Sequence, residues 1–222
     1  FHAYSLNLSN DVIKGLLKKE LVVVGVTDAG EKIGTRIQNY ALLDALYTSG
    51  EHDANEANLG VNYSGDNVTL SVWAPTAQLV ELRLFSDTPT PTVDGVPGNF
   101  PSLSTKNMTF DSATGIWSYT GTKTELDRKF YRYRVTGYNS ITNKTHVLEV
   151  PDPHAVSLSA NGFHSQIVNL NDADLKPAGW DAQEVPTVTS PESMAIYELH
   201  VRDFSALDQS TPAAHRGKYL AF

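Results

Sequence analysis

The stretch from Val68 to Phe85 reads VTLSVWAPTAQLVELRLF, and it decides the fold. Apolar and polar side chains alternate in each half of it, which is the pattern of a strand that buries one face. Pro75 lies between the two halves, and because proline has no backbone N–H it predicts a turn rather than a central strand. The stretch therefore predicts an antiparallel strand pair, the starting unit of a β-sandwich.

Short strands with turn signals between them continue this pattern over residues 59–170. The turn is clearest at Asp111 to Gly115, which reads DSATG. Residues 86–107, rich in Thr, Pro and Gly, are interpreted as a long loop. Further strands are predicted at 108–110, 116–120, 130–138 and 146–150.

Residues 1–50 predict a small mixed α/β unit. Ser9 or Asn10 is expected to cap a first helix. A short buried strand at 21–24 and a turn at 28–30 follow, and a capping box from Thr35 to Gln38 predicts a second helix that Gly50 closes. The polar, acidic stretch 51–58 is interpreted as a linker.

Composition excludes several classes of protein. The 222 residues carry a net charge of −8, which argues against a nucleic-acid partner, and the absence of cysteine excludes disulfides and thiol chemistry. No apolar run approaches the roughly 20 residues of a membrane span. The chain begins at Phe1 without a signal peptide, so we expect a processed or cut piece of a longer protein.

Four ordered motifs carry a family resemblance. VWAPTA at 72–77, the DPH that begins at Asp152, LKPAGWD at 175–181 and IYELHVRDFS at 196–205 together resemble pullulanase-type debranching enzymes of the amylase superfamily. These include secreted bacterial pullulanases and plant limit dextrinases. The resemblance covers roughly residues 37–222 and is weaker before them.

The resemblance implies a mainly β fold: an immunoglobulin-like sandwich of the starch-binding type, preceded by the small α/β unit. A linker at 171–193 and the first strand and loop of a (β/α)₈ barrel at 194–222 would follow. Such a barrel needs about 250 residues, so we expect it to be incomplete here. Glycoside hydrolysis needs two carboxylates, which the family carries after later barrel strands. We therefore expect no catalytic residue and no activity in this chain alone.

The resemblance implies the N-terminal part of an enzyme that hydrolyses α-1,6 branch links in pullulan, starch or limit dextrins. Its partners would be the α-glucan and the catalytic barrel, on the same precursor or on another polypeptide. The expected location is bacterial, secreted or at the cell surface. The alternative hypothesis is a free-standing, non-catalytic α-glucan-binding or scaffold protein. The apolar stretch 196–201 favours the enzyme hypothesis, because a lone apolar strand would be an exposed edge.

Aromatic side chains are the candidates for binding a neutral glucan, since they can stack on the flat apolar face of a sugar. Large aromatics in strands are more often core residues, and Trp73 shares the less apolar face of its strand with Thr69 and Ser71. Tyr131 and Tyr133 are weaker candidates. The proposed carbohydrate-binding residues are Trp73, Trp117, Tyr119 and Trp180.

Residues near the C-terminus invite two further interpretations. Tyr197, His200 and Asp203 could support the active site of the barrel from behind, although a structural role is the simpler interpretation. No cofactor is expected to be required. Calcium is a candidate ion because it prefers several oxygen ligands, but solvated linker carboxylates are the favoured interpretation of four acids near the end of the sandwich. They are Asp152, Asp172, Asp174 and Asp181.

Overall fold

The VTLSVWAPTAQLVELRLF stretch forms two strands, as predicted, but the strands belong to two different sheets. In the computed structural model, which describes residues 7–50, 53–87 and 100–222, these are β4 (Asn67–Trp73) and β5 (Leu79–Phe85). The Ala74-Pro75-Thr76-Ala77 segment carries the chain from one sheet to the other, and Ala77 N–H donates to Ala74 O.

The first sheet has the order β3-β4-β8-β7, and the second has the order β10-β9-β5-β6, with the short β11 also paired to β9. All pairs are antiparallel. This arrangement is the predicted mainly β, immunoglobulin-like sandwich. The remaining strands are β3 (Gly60–Ser64), β6 (Ser102–Asn107), β7 (Thr109–Phe110), β8 (Ile116–Thr122), β9 (Phe130–Asn139), β10 (Lys144–Val150) and β11 (Ser165–Gln166).

The core fills the space between the two sheets. The inward faces of β4 and β5 contribute alternate residues, as the period of two predicts. Trp117 on β8 and two tyrosines on β9 pack against them, so the core is rich in aromatic rings. Its members from the strands are Val68, Leu70, Val72, Val80, Leu82, Leu84, Trp117, Tyr131 and Tyr133.

The N-terminal unit contains a first helix, α1 (Asn10–Leu16), a hairpin of β1 (Val22–Val26) and β2 (Lys32–Arg36), and a second helix, α2 (Tyr40–Tyr47). Ser9 caps α1 by accepting from Val12 N–H, as predicted. The predicted burial of β1 is wrong, because every residue of the hairpin strands is exposed. The capping box at Thr35 is also wrong, since Thr35 pairs with Val23 inside β2 and the helix begins only at Tyr40.

Two stretches expected to be irregular contain ordered structure. In the interpreted linker, residues 53–58 include a short 3₁₀ helix (Ala54–Glu56), and Ala54 is buried. Part of the interpreted loop 86–107 is strand β6, which pairs with β5. Residues 88–99 of that loop lie outside the described residues. Alternation is weak in SLSTKN, so pairing with β5 rather than local sequence selects the strand.

A second compact unit runs from Ala173 to Phe222. It contains short 3₁₀ turns and one short helix, α4 (Val201–Ser205). The first barrel strand expected at 194–201 is not a strand: residues 194–200 have no regular secondary structure and are exposed. A β-strand requires hydrogen-bonded neighbours, and in the part of the chain that the structure describes none pairs with this segment. The remaining helix of the first unit is α3 (Lys123–Leu126).

Candidate functional site

A cleft of about 450 Å³ opens at one end of the sandwich. Its volume lies in the range of ligand-binding pockets, roughly 300–1,000 Å³. Three segments of the first unit form it: the end of α2 with the 3₁₀ helix that follows, the end of β4, and the turn after β10. The lining residues are Thr48, Ala54, Asn55, Ala57, Leu59, Val72, Trp73, Pro153 and His154.

Trp73 supplies the one aromatic indole of this lining. It ends β4 on the face opposite Val72, and the side chain is half-buried. Its indole N–H donates to Thr114 O at 2.9 Å, which fixes the orientation of the ring. A fixed aromatic ring beside hydroxyl, amide and imidazole groups suits a sugar, which has an apolar face and a rim of hydroxyls.

The turn that begins at Asp111 holds this indole in place. The carboxylate of Asp111 accepts from Ala113 N–H at 2.9 Å and from the Thr114 hydroxyl at 2.7 Å. Gly115 closes the turn with φ of 75°, and a Cβ there would lie 2.7 Å from the Cβ of Pro75 and 3.2 Å from the indole nitrogen of Trp73. Glycine is therefore required, both for its backbone conformation and for the close approach.

Two of the four predicted sugar-binding aromatics lie elsewhere in the sandwich. Trp117 is only 5% exposed, and its indole N–H donates to Ala74 O at 3.0 Å, so it is a core residue and the prediction for it is wrong. Tyr119 is half-buried, and its hydroxyl donates to Glu125 at 3.1 Å. Burial and this hydrogen bond raise the pKa of the Tyr119 hydroxyl.

The fourth aromatic, Trp180, belongs to the second unit and is 63% exposed. It lies on a shallow depression formed by 173 and 176–182, where Lys176 forms an ion pair with Asp181 at 2.7 Å. The strand pattern predicts the less apolar face for Trp73, as the structure has it. For Trp117 no such pattern indicated that the ring would face the core.

The three residues predicted to support a barrel site form a local structure instead. His200 caps α4, since its Nδ1 accepts from Asp203 N–H at 3.4 Å. The carboxylate of Asp203 lies 3.1 Å from Arg202 Nε, and Tyr197 is exposed. Their part in supporting an active site stays a prediction.

The four acids considered as calcium ligands do not form one group. The Asp152 carboxylate accepts hydrogen bonds from two tyrosines, and Asp172 is 2.7 Å from Arg128 Nη2. Among the described residues, no three His, Asp or Glu side chains are grouped so that they could hold a metal ion. That calcium can bind without being required thus stays a prediction.

Sequence reasoning missed most of the cleft. Thr48 had been assigned to a helix end and Asn55 to a linker, while His154 had been noted only as part of a motif. His154 follows Thr48 and Asn55 by about 100 positions in the sequence, and no local pattern indicates that these residues meet. Separately, none of the helices in the described part of the chain is long and apolar enough to cross a membrane.

Residues 58–155 match the family of carbohydrate-binding module 48, the isoamylase N-terminal domain. The chain is 40% identical over 217 residues to a pullulanase of Klebsiella pneumoniae, covering 96% of this chain and 18% of the relative. It is 36% identical over 213 residues to the chloroplastic pullulanase 1 of Arabidopsis thaliana, covering 95% of this chain and 20% of the relative. The chain thus spans about a fifth of the length of these curated relatives.

Solved structures of pullulanases also match this chain. The Klebsiella pneumoniae pullulanase complexed with maltotriose matches with a TM-score of 0.79 and 38% identity, covering 94% of this chain and 19% of that one. The Paenibacillus barengoltzii pullulanase complexed with maltohexaose and α-cyclodextrin matches with a TM-score of 0.60 and 28% identity. The match covers 83% of this chain and 25% of that one. Residues 58–155 therefore belong to the carbohydrate-binding module 48 family, within a chain that resembles pullulanases over most of its length.

Proposed function

We propose that this chain is the carbohydrate-binding part of a pullulanase-type glycoside hydrolase, and that its sandwich binds α-glucan in the cleft lined by Trp73. The observation that carries the proposal is the oriented indole in a cleft of ligand size, within residues that match a carbohydrate-binding family. Two similar pullulanases have been solved with α-glucan oligosaccharides, which supports the choice of ligand.

The chemistry of the cleft agrees with a neutral ligand. Its lining has apolar groups and three polar side chains, from Thr48, Asn55 and His154. Neither a carboxylate nor a Lys or Arg is among the lining residues, so the cleft has no strong preference for a charged ligand. A hydroxyl, an amide and an imidazole can each donate and accept hydrogen bonds, as sugar hydroxyls require.

The proposed reaction of the whole enzyme is hydrolysis of α-1,6-glucosidic branch links in pullulan, starch or limit dextrins. A catalytic barrel, on the same precursor or on another polypeptide, would supply the acid and the nucleophile that must flank the glycosidic bond. The described residues form no barrel. We therefore expect the 222-residue chain alone to release no reducing sugar from pullulan, and release by the pure chain would contradict this part of the proposal.

Calorimetric titration with β-cyclodextrin, a compact mimic of an α-glucan turn, tests the binding role. Saturable heat is expected from the wild-type chain, and Trp73→Ala should abolish it. Tyr219→Ala removes an exposed aromatic side chain of the second unit for which the sequence predicts no part in binding. It is the control and should bind as the wild type does. Equal binding by Trp73→Ala and the wild type, or no heat at millimolar ligand, would contradict the proposed cleft.

A further inference from the structure

Asp152 is a carboxylate buried inside the sandwich, with only 4% of its surface exposed. Its Oδ2 accepts hydrogen bonds from the hydroxyls of Tyr131 at 2.7 Å and Tyr133 at 3.1 Å. Both tyrosines lie fully buried on β9. A charged group is costly to bury unless hydrogen bonds compensate it, and here the donors come from the rigid centre of a sheet.

The second carboxylate oxygen of Asp152 is hydrogen-bonded to a residue that lines the cleft. Oδ1 accepts from the backbone N–H of His154 at 2.8 Å, which fixes the turn that carries Pro153 and His154. The backbone N–H of Asp152 in turn donates to Ser165 Oγ on β11 at 2.8 Å. The carboxylate thus connects the buried centre of one sheet to one wall of the cleft.

His154 also packs closely against Gly60. Gly60, with φ of 78°, begins β3, and a Cβ there would lie 3.0 Å from the Cβ of His154 and 3.1 Å from its carbonyl oxygen. His154 therefore packs closely against Gly60 and is also hydrogen-bonded to the Asp152 carboxylate. A small displacement of the Asp152 side chain would move a lining residue of the cleft.

We propose that Asp152 is the positioning residue of the glucan cleft: its buried carboxylate transfers the fixed geometry of Tyr131 and Tyr133 to the cleft wall at His154. This inference rests on the proposed glucan binding at the Trp73 cleft. It assigns a role to a residue that does not line the cleft, and for which the sequence indicates only a place in a family motif and a possible calcium ligand.

Replacing Asp152 tests the proposal. Asp152→Ala leaves two buried hydroxyls without this acceptor and removes the acceptor of the His154 N–H. We therefore expect affinity for β-cyclodextrin to fall roughly tenfold or more. Asp152→Asn should rescue it, because the amide oxygen can accept from His154 while the NH₂ group donates to the tyrosine hydroxyls, which can also accept.

The sandwich offers a matched control in a second tyrosine–aspartate pair. The Tyr63 hydroxyl donates to the Asp127 carboxylate at 2.6 Å, and neither residue lines the cleft. Asp127→Ala removes the same kind of hydrogen bond and should leave the affinity unchanged. A purely structural role for Asp152 would lower the melting temperature of Asp152→Ala without changing the affinity of the folded protein.

If Asp152→Ala does not fold, Tyr131→Phe provides the milder test, since it removes one donor and keeps the ring. Hydrogen exchange at the His154 amide gives a readout that needs no ligand, and both variants should accelerate it. Wild-type affinity together with wild-type exchange in the folded variants would overturn the proposal. If the wild type binds no cyclodextrin, the proposed function fails, while the amide exchange still decides whether Asp152 fixes the cleft wall.

Discussion

Trp73 and Trp117 lie on neighbouring strands but have different surroundings. In the pairing of β4 with β8, Trp117 is opposite Val72 and Trp73 is opposite Ile116. Paired residues on adjacent strands share a sheet face, so Trp117 points with Val72 into the core while Trp73 lies on the other face. The register of one strand pair therefore separates a core residue from a candidate ligand contact.

The burial of Trp117 predicts a large loss of stability in Trp117→Ala. Removing a buried tryptophan leaves a cavity and takes one of the two hydrogen-bond donors from the Ala74 carbonyl. We expect the free energy of unfolding to fall by about 3–5 kcal/mol. Urea denaturation measures it. Trp180→Ala, at an exposed position, should change stability by less than about 0.5 kcal/mol. Equal small losses in both variants would show that Trp117 is not in the core.

His164 predicts a pH-dependent contribution to stability. Its ring stacks on Phe100 with centroids 4.0 Å apart, and burial, with Arg132 nearby, lowers its pKa below the ordinary value, although Glu149 opposes the shift. The neutral ring is thus favoured in the folded state. The contribution of the neutral ring to the free energy of unfolding is complete above about pH 6.5, the ordinary pKa of histidine. It is lost as the pH falls towards the lowered pKa of His164.

The comparison variant is His164→Phe, which keeps the aromatic stack without a titrating group. The free energy of unfolding of the wild type should fall more steeply below about pH 6.5 than that of His164→Phe, as measured by denaturant titrations at several pH values. Parallel curves for the two proteins would contradict the prediction. Every other side chain is common to the two proteins, so its contribution cancels in the difference.

At the scale of elements, the β1–β2 hairpin pairs with no other strand among the described residues. Four of the five residues of β1 are valines, and all are exposed. Lys32 and Arg36 provide charges on β2, whereas β1 has none. Charged side chains discourage pairing at a strand edge, so β1 is the less protected edge of the hairpin.

Val24→Lys, at a position 56% exposed, should therefore reduce concentration-dependent self-association as measured by light scattering. The change moves the net charge from −8 to −7, which by overall repulsion alone would favour association. Ile141→Lys makes the same charge change at an 88% exposed turn position and is the control. If both variants behave alike, the β1 edge has no special part in association.

The turn before β8 predicts a second effect at this scale. Gly115→Ala places a methyl group against Pro75 and Trp73 in a left-handed backbone conformation, and we expect it to cost roughly 1–3 kcal/mol. Gly65, with φ of 56°, has open space around it, so Gly65→Ala reports the backbone strain alone. Denaturant titration of both should give the larger loss at Gly115, and equal losses would show that the close contacts do not matter.

At the scale of the whole molecule, the two compact units differ in how much they bury. The first unit contains the aromatic core between two sheets. In the second unit, Ala173 to Phe222, all of which the structure describes, Ser205 is the only buried residue. Between 183 and 200, nearly every residue is exposed. Local stability follows burial and hydrogen bonding.

Limited digestion with chymotrypsin should therefore cut first between 183 and 200, where Tyr197 and Leu199 offer sites. The product should be a resistant fragment that retains the sandwich. Mass spectrometry of the early fragments identifies the cuts. Initial cleavage within 60–87 or 100–150, with 183–200 intact, would contradict this order of stability.

Much of the fold was predictable because its signals are local. Alternation in β4, β5 and β9, the turn from Asp111 to Gly115 and the Ser9 cap each depend on a few consecutive residues. Strand β6 was missed because its own pattern is weak and β5 selects it. The strand expected at 194–201 did not form because apolar sequence alone does not supply the neighbours that a strand requires.

The sequence by itself determined the sandwich, its family and the neutral, aromatic character of its candidate ligand contacts. Only the tertiary structure decided that Trp117 belongs to the core, that Trp73 lines a cleft with Asn55 and His154, and that Asp152 is buried beneath that cleft. The physical reason is one of distance along the chain: periodicity and turn chemistry act between near neighbours, whereas the cleft depends on sheet register and on the packing of segments far apart in sequence.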